Sequence, residues 1–342
     1  MDKILRKRII RDLKDHFLRY AALCLLIILG CYMLVSLLAA AENIMQRTKE
    51  HQLSNRMEYG QFTTFTALNA KEEQMIRDKG VSLERAFYYD VRSEDNSIIR
   101  VFRNRKMIDL IECDEGRLAD KPGEAVLEKR FCEVNGFSVG DSINMGGESC
   151  IITGIGTVPD YESPIAKMSD SIVDSESFGL AFVTSEQYEH MLSEGHALES
   201  ENFVYAYHLN GALTHDELKD LIESFEFDYK DVEDPWFREY ISEQMGAAES
   251  VRDFLSSPLF SNDTDVDKLR DMLDPNIHNL QQLIAAGDNM RIGKAGDDVQ
   301  INKSSCLFAG IIVLALFAYC IVVFVIHEID DESEVIGALY AL

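Results

Sequence analysis

Two histidines in the middle of the chain, His190 and His196, have Glu189, Glu194 and Glu199 near them in sequence. Imidazole nitrogens and carboxylate oxygens are both ligands of transition metals, so this group has the residue types of a metal site. The signal is weak, because the spacing belongs to no recognised metal motif. Loop residues in contact with water are the interpretation that the sequence favours.

Three aspartates further along, Asp263, Asp265 and Asp267, imitate the start of a calcium-binding loop. Such a loop requires Gly at its sixth position and Glu at its twelfth. This chain has Lys268 and Asp274 there. The N-terminus of a helix, which favours negative charge, explains the three aspartates better.

Motifs of common enzymes are absent from the sequence. It contains no GxxxxGK[ST] phosphate-binding loop, no GxSxG nucleophile elbow and no HExxH zinc helix. We therefore expect no catalytic residue, no metal and no cofactor in this chain. Hydrolysis of ATP by a phosphate-binding loop is also not expected.

The cysteines do not suggest a disulfide framework. Three of the seven, Cys113, Cys132 and Cys150, lie outside the two long apolar runs, and an odd number cannot pair completely. A single bridge between Cys132 and Cys150 stays open at this point. Three unpaired cysteines are the favoured interpretation.

The charge of the chain is strongly negative. It carries 59 acidic and 33 basic residues, for a formal net charge of -26. Binding of nucleic acid phosphates requires a basic surface, so nucleic acid is not expected as a partner. An acidic domain is also repelled by the anionic surface of a cytoplasmic leaflet.

Two long apolar runs place most of the chain between membrane helices. Residues 20–41 and 306–326 contain no charged side chain. Each is close to the ~20 residues that a membrane-spanning helix needs. A cleaved signal peptide is the alternative for the first run, since residues 39–41 resemble a cleavage site. The run exceeds the usual length of a signal-peptide core, so we predict an uncleaved anchor.

The orientation follows from the basic residues before the first run. Residues 1–19 hold seven Lys or Arg side chains, which places the N-terminus in the cytoplasm. Apolar residues recur there at helical spacing, which predicts a basic amphipathic helix on the cytoplasmic leaflet. A simple positively charged flank is the alternative. Residues 42–305 are then extracytoplasmic, and residues 327–342 return to the cytoplasm.

The extracytoplasmic segment is predicted to be an α+β domain with helical stalk segments. Alternating and β-branched runs predict strands at 87–89, 98–102, 124–127, 142–145, 150–152, 179–183 and 202–209. Capping boxes at Thr184–Gln187 and Thr214–Glu217 predict that helices follow the last two strands. From residue 236 to 291 the spacing predicts helix, with Leu280, Leu283 and Ile284 among its apolar positions. The fold class is thus a membrane protein with two transmembrane α-helices flanking an α+β extracytoplasmic domain.

Several short motifs then occur in a suggestive order. They are Glu115-Gly116-Arg117, the strand Gly123–Leu127, the turn Val139-Gly140-Asp141, the segment 152–161 and the C-terminal stretch 332–342. In order and spacing they resemble the FtsX-like (MacB-type) family of ABC transporter permeases. The resemblance covers almost the whole chain, which lacks the later membrane helices of that family.

The resemblance implies a function and partners. Permeases of this family pair with a second permease copy or half, and dock on a separate cytoplasmic ATPase that binds ATP. The ATPase moves the membrane helices, and an extracytoplasmic domain then acts on lipoproteins, peptides or antibiotics. A bacterial plasma membrane is the implied location. Residues 327–342 would start the coupling helix that contacts the ATPase, through Glu332, Ser333, Ile336, Gly337, Leu339 and Tyr340.

Two other functions are compatible with the same pattern. A two-span sensor would bind a ligand with its extracellular domain, but it needs a cytoplasmic signalling module for which the residues after 326 are too few. A membrane-tethered hydrolase would need a nucleophile or metal set that the motifs do not supply. For the C-terminal stretch, an ordinary juxtamembrane helix is the alternative to a coupling helix.

Overall fold

The computed structural model describes residue 14 and residues 17–170, 172–211, 213–235, 238–243, 246, 250–251 and 278–340. Contacts within the chain divide it into two compact units. The first combines Met1–Glu50 with Gly296–Leu342, and the second is His51–Ala295. Most of the predicted amphipathic helix at 1–19, the three aspartates at 263–267 and residues 252–277 lie outside the described residues.

Helices and strands are interspersed along the chain. The helices are α1 (Phe17–Ser54), α2 (Ala70–Asp78), α3 (Lys129–Asn135), α4 (Ser185–Ser193), α5 (His215–Glu223) and α6 (Met290–Tyr340). The strands are β1 (Gly60–Thr64), β2 (Val81–Arg85), β3 (Tyr88–Arg92), β4 (Ile98–Arg103), β5 (Glu112–Gly116), β6 (Glu124–Glu128), β7 (Ser142–Met145), β8 (Glu148–Thr157), β9 (Phe178–Val183), β10 (Phe203–Leu209) and β11 (Leu280–Ala285).

The first unit contains the apolar parts of α1 and α6. Tyr20–Ser54 and Val299–Val323 are long and apolar enough to cross a membrane, and they include most of the two predicted runs. Their apolar side chains are almost entirely uncovered, as Leu25 and Phe308 illustrate with 69% and 68% exposure. A core helix of a water-soluble domain would instead bury this surface.

Small residues let these two helices approach each other. A Cβ atom on Gly30 would lie 2.4 Å from the ring of Phe317, and one on Gly310 would lie 2.7 Å from Leu34. Glycine at such positions allows close packing of helix backbones, which is how apolar helices associate in lipid.

We expect Gly30→Leu to weaken this helix pair, because the new side chain would occupy the position of the Phe317 ring. Overpacking of this kind costs about 1–3 kcal/mol. The measurement is thermal loss of the far-UV helical signal of the chain in detergent micelles. Ala39→Leu is the matched control, since Ala39 is exposed on the opposite face of α1. Equal melting temperatures for the two variants would contradict the packing.

The second unit contains two sheets. The smaller is antiparallel, with strand order β11-β1-β10-β2. The larger has the order β3-β4-β9-β6-β8-β5, and β7 pairs with β8 at its side. Helices α2 and α5 pack on the smaller sheet through Ile76, Leu218 and Ile222.

The larger sheet has a core on each side. One contains Phe131 of α3 and Tyr188 of α4, packed against strand residues such as Val101 and Leu127. The other contains Phe102, Val126, Phe182 and the aromatic ring of Tyr161. Helices accompany both sheets, so the prediction of an α+β domain is confirmed.

Local sequence signals explain several elements. The predicted strands at 87–89 and 98–102 form the β3–β4 hairpin, and the strands on either side of Gly146 and Gly147 form the β7–β8 hairpin. At α5, Thr214 and Glu217 make the predicted capping box in both directions. These signals are short in range, and each requires only neighbouring residues.

Two predictions about local structure are wrong. The Thr184 side chain caps α4, but the Gln187 side chain does not complete the capping box. It instead donates to Glu148 and accepts from the backbone N–H of Gly123. Leu280–Ala285, which was predicted as helix, is strand β11 and pairs with β1.

The cysteines of the second unit are free thiols. Cys132 and Cys150 belong to the same core cluster and are both buried, and they form no bridge. Burial raises the pKa of Cys132 to about 12 and that of Cys150 to about 11. The neutral thiol is therefore their form at physiological pH, and they pack as small apolar side chains.

Candidate functional site: a buried ionic junction

A cluster of buried charges lies inside the second unit, close to the C-terminal end of α1 and the N-terminal end of α6. We call it the ionic junction and define it by Glu58, Arg105, Asp109, Asp160 and Arg291. All five residues are less than 9% exposed. They come from four separate parts of the chain, so the fold alone brings them together.

Arg105 is at the centre of the ionic junction. Its Nη1 atom lies 2.7 Å from Oδ1 of Asp160 and 3.7 Å from Oδ2 of Asp109. Its guanidinium also lies over the rings of Phe102 and Phe182, with the Phe102 centroid 5.0 Å away. Aromatic faces attract cations, so these two rings stabilise the buried guanidinium in addition to the two aspartates.

Glu58 adds a third carboxyl group. Its backbone N–H donates to Oδ1 of Asp109 over 2.9 Å, and its own carboxyl accepts from Nδ2 of Asn289 over 3.2 Å. Burial, followed by the charge of Asp160, raises the pKa of Glu58 to about 8. Burial and the same neighbour also raise the pKa of Asp109 well above its ordinary value. A protonated Glu58 lets the cluster hold three carboxyl groups near two guanidinium groups.

The backbone at the ionic junction is in an uncommon conformation. Arg56 and Asp109 have positive φ values of 53° and 51°, although neither is glycine. The N–H of Asp109 donates to the carbonyl of Arg56, and the N–H of Leu110 donates to that of Asn55. Non-glycine residues adopt this conformation at some energetic cost, and they concentrate where function requires a particular geometry.

The end of α1 is attached to the larger sheet by side chains. Asn55 donates from Nδ2 to Glu112 over 2.7 Å. The ring of His51 contacts Glu162 through Nδ1 at 2.8 Å and Thr157 through Nε2 at 3.1 Å. The hydrogen bond to Glu162 raises the pKa of His51, which favours the charged imidazolium in this position.

The start of α6 is attached to the loop that follows β8. Arg291 donates from Nε to the carbonyl of Ile165 and from Nη2 to that of Ala166, at 3.3 and 3.0 Å. Its guanidinium lies 4.6 Å from the ring centroid of Tyr161. The backbone N–H of Ser163 donates in turn to the carbonyl of Arg291.

Both helix ends therefore contact one short segment, residues 157–166, which begins at the last residue of β8. These contacts are ion pairs, charge-assisted hydrogen bonds and aromatic stacking, and they carry no nucleophile with an activating base. The arrangement can hold two helix ends and one sheet in a fixed geometry. It has no feature that would make or break a covalent bond.

Of the residues in the ionic junction only Asp160 belongs to a motif that the sequence offers, the segment 152–161, which also contains Tyr161. The predicted coupling-helix residues lie in the last turns of α6, whose backbone is helical to Tyr340. Of their side chains only that of Ser333 is described, and its hydroxyl donates to the carbonyl of Asp330. The other five positions, Glu332, Ile336, Gly337, Leu339 and Tyr340, are described by their helical backbone alone.

The two histidines of the sequence analysis do meet a carboxylate, but not one near them in sequence. The Nε2 atoms of His190 and His196 lie 3.5 and 3.3 Å from Oε1 of Glu148. Glu189 pairs with Arg103 instead. In the part of the chain that the structure describes, no three His, Cys, Asp or Glu side chains are arranged to hold a metal ion.

The comparison with solved structures finds 17 similar chains, of which two are described here. No protein-family model matches the chain, and neither does any curated protein. The periplasmic region of MacB from Actinobacillus actinomycetemcomitans is similar over 49% of this chain and 83% of its own, with 9% identity and a TM-score of 0.29.

The second similarity is to the extracellular domain of the noncanonic ABC-type transporter YknZ from Gram-positive bacteria. It extends over 47% of this chain and 88% of the other, with 11% identity and a TM-score of 0.28. The chain is thus similar, over about half its length and at low identity, to domains of ABC-type transporters that lie outside the cytoplasm.

Proposed function

We propose that this chain is the permease subunit of an FtsX/MacB-type ABC transporter. In this role it would receive motion from a cytoplasmic ATPase and transmit it to an extracytoplasmic domain. ATP would be bound and hydrolysed by the ATPase, and this chain would contribute no catalytic residue. The other expected partners are the lipid bilayer and a second permease copy or half.

The attachment of both helix ends beside the ionic junction is the observation that carries the proposal. A transmitter needs a stiff connection where membrane helices enter the domain that they drive. Here the end of α1 and the start of α6 are both bonded to residues 157–166 through His51 and Arg291. A displacement of either helix end would therefore act on this segment, which continues from β8 of the larger sheet.

The uncovered apolar surfaces of α1 and α6 support a location in the membrane. The seven basic residues within 1–19 favour a cytoplasmic N-terminus, which places residues 42–305 outside. The domain would then act on lipoprotein, peptide or antibiotic-like substrates in a bacterial envelope. A two-span sensor is the alternative, and its domain would bind a signalling ligand instead.

Co-purification with an ATPase tests the proposal. The full native reading frame is co-expressed with its neighbouring ATPase genes and purified in detergent. We expect an ATPase to be retained, and to be lost from the double variant Gly337→Trp with Leu339→Asp. Both changes disrupt the small and apolar positions through which a helix would lie in a groove of its partner.

A control variant carries the same two types of substitution outside the cytoplasmic tail. Gly287→Trp with Leu198→Asp serves, because both residues are exposed in the second unit and a Cβ on Gly287 meets no atom within 4 Å. The control should retain the ATPase. Absence of any associated ATPase from the unaltered chain would favour the sensor over the permease.

A further inference from the structure

A single histidine side chain attaches the last turn of α1 to two other parts of the second unit. The ring of His51 lies between Glu112, on β5, and Glu162, in the segment 157–166. The side chains of His51 and Glu162 are only 15% and 16% exposed, so water reaches this contact in part. We call His51, Glu112 and Glu162 the histidine clamp.

Both nitrogen atoms of the His51 ring face oxygen atoms. Nδ1 lies 2.8 Å from Oε1 of Glu162. Nε2 lies 3.1 Å from Oγ1 of Thr157 and 3.5 Å from Oε2 of Glu112. An ionised carboxylate can only accept hydrogen bonds, and the charged imidazolium is the form of histidine that donates from both nitrogens. The geometry therefore matches the charged ring.

The charges around the ring favour the same form. They are Glu112 and Asp114 on β5 and Glu162 in the segment 157–166, and all three are acidic. The hydrogen bond to Glu162 is the main reason that the pKa of His51 is raised, and the three negative charges add to it against the cost of burial. Histidine titrates near neutral pH, so this contact changes its charge within the physiological range.

The histidine clamp lies where α1 ends. The carbonyl of His51 accepts from the backbone N–H and from Nδ2 of Asn55, each over 3.0 Å. The N–H of Met57 donates to the carbonyl of Gln52 over 2.8 Å. These bonds close the last turn, and their amide hydrogens therefore report whether the turn is held in place.

We propose that the histidine clamp is operated by pH: a proton on His51 fastens the end of α1 to β5 and to residues 157–166, and loss of the proton loosens it. The neutral ring keeps one N–H, and Glu112 and Glu162 then lie on either side of it without a cation. The fastening is complete below pH 6.5, the ordinary pKa of histidine, and is lost as the pH rises through the raised value. Control of transmission by this clamp rests on the proposed permease function, whereas the clamp itself does not.

Hydrogen exchange of the full chain in detergent tests the proposal. The reporters are the amides of Asn55 and Met57, with rates corrected for the intrinsic effect of pH on exchange. The background is Glu58→Gln, because Glu58 follows the same turn and its own pKa is about 8. We expect the protection of both amides to fall about threefold or more between pH 6 and pH 9, as the ion pair is lost.

Three further variants locate the effect. His51→Gln has no titratable ring and should show the lower protection at every pH. Glu162→Gln should move the titration of the His51 ring to lower pH, as followed by NMR of histidine labelled with ¹³C at Cε1. His190→Gln is the matched control, because His190 also lies 3.5 Å from a glutamate but is 57% exposed and lies outside the clamp. It should leave the fall in protection unchanged.

The proposal is wrong if the protection of Asn55 and Met57 stays constant from pH 6 to pH 9. It is equally wrong if the protection falls by the same factor in His51→Gln, or if Glu162→Gln leaves the titration of His51 where it was. None of these measurements involves an ATPase. A failure of the clamp therefore leaves the permease function standing, and a failure of ATPase association leaves the clamp standing.

Discussion

Arg105→Met should destabilise the second unit more than any other single substitution considered for this chain. The change removes one partner of a buried ion pair and leaves the carboxylates of Asp160 and Asp109 without their nearest cation. Loss of one member of a buried pair typically costs about 3–5 kcal/mol, because an uncompensated charge stays in the interior. Methionine keeps most of the side-chain volume, so the cost reflects charge and not a cavity.

The destabilisation by Arg105→Met is measured by unfolding the full chain with urea in detergent. Hydrogen exchange of the backbone amides in β4 and β9 follows the unfolding of the second unit. The destabilisation should be smaller at pH 5 than at pH 7, because burial raises the pKa of Asp109 well above its ordinary value and its protonation at the lower pH removes one of the two facing charges. Arg117→Met is the control, because Arg117 forms an equally short ion pair with Glu124 but is itself exposed to water, where the loss of an ion-pair partner is expected to cost less. Similar losses in both variants would show that burial of the ionic junction is energetically unimportant.

Glu58→Gln should stabilise the chain at alkaline pH and leave it unchanged at acidic pH. The folded-state pKa of Glu58, about 8, lies above its ordinary value of 4.5. Protonation therefore favours the folded state, and this contribution is complete below pH 4.5 and lost as the pH rises through 8. By proton linkage the loss corresponds to about 3–5 kcal/mol, and glutamine, which stays neutral, avoids it.

The difference in unfolding free energy between Glu58→Gln and the unaltered chain should thus grow from near zero at pH 5 to its full value near pH 8.5. His51, whose pKa is raised, also loses a favourable contribution above pH 6.5, but it does so in both proteins and cancels in the difference. Glu186→Gln, at an exposed position, should show no such growth. If this difference in unfolding free energy stays constant with pH, Glu58 is ionised in the folded protein, and the prediction is wrong.

The sequence predicts those parts of the fold that depend on neighbouring residues. The β7–β8 hairpin follows from Gly146 and Gly147 between two alternating runs. Strand β11 shows where this reasoning fails. Leu280, Leu283 and Ile284 have the spacing of a helix, but pairing with β1 satisfies their backbone as a strand. A partner so distant in sequence leaves no local signal.

The ionic junction was hidden from sequence analysis for a similar reason. Each of its charges, taken alone, resembles one of the many surface charges of an acidic chain. Only the fold places Glu58, Arg105 and Asp160 within one interior. A signal was available in part, since Asp160 and Tyr161 belong to a motif segment, but the motif gave no indication of the partner at Arg105.

The smaller sheet also has a consequence for biosynthesis. Strand β1, near the start of the domain, lies between β10 and β11, which come from its far end. At a synthesis rate of about 5–20 residues per second, β1 waits on the order of ten seconds or more for both neighbours. All strands of the larger sheet are synthesised before β10 and β11, so the larger sheet can assemble first. The nascent chain therefore presents β1 unpaired until translation passes residue 209, and with one open edge until it passes residue 285. This interval is when a chaperone would be most useful.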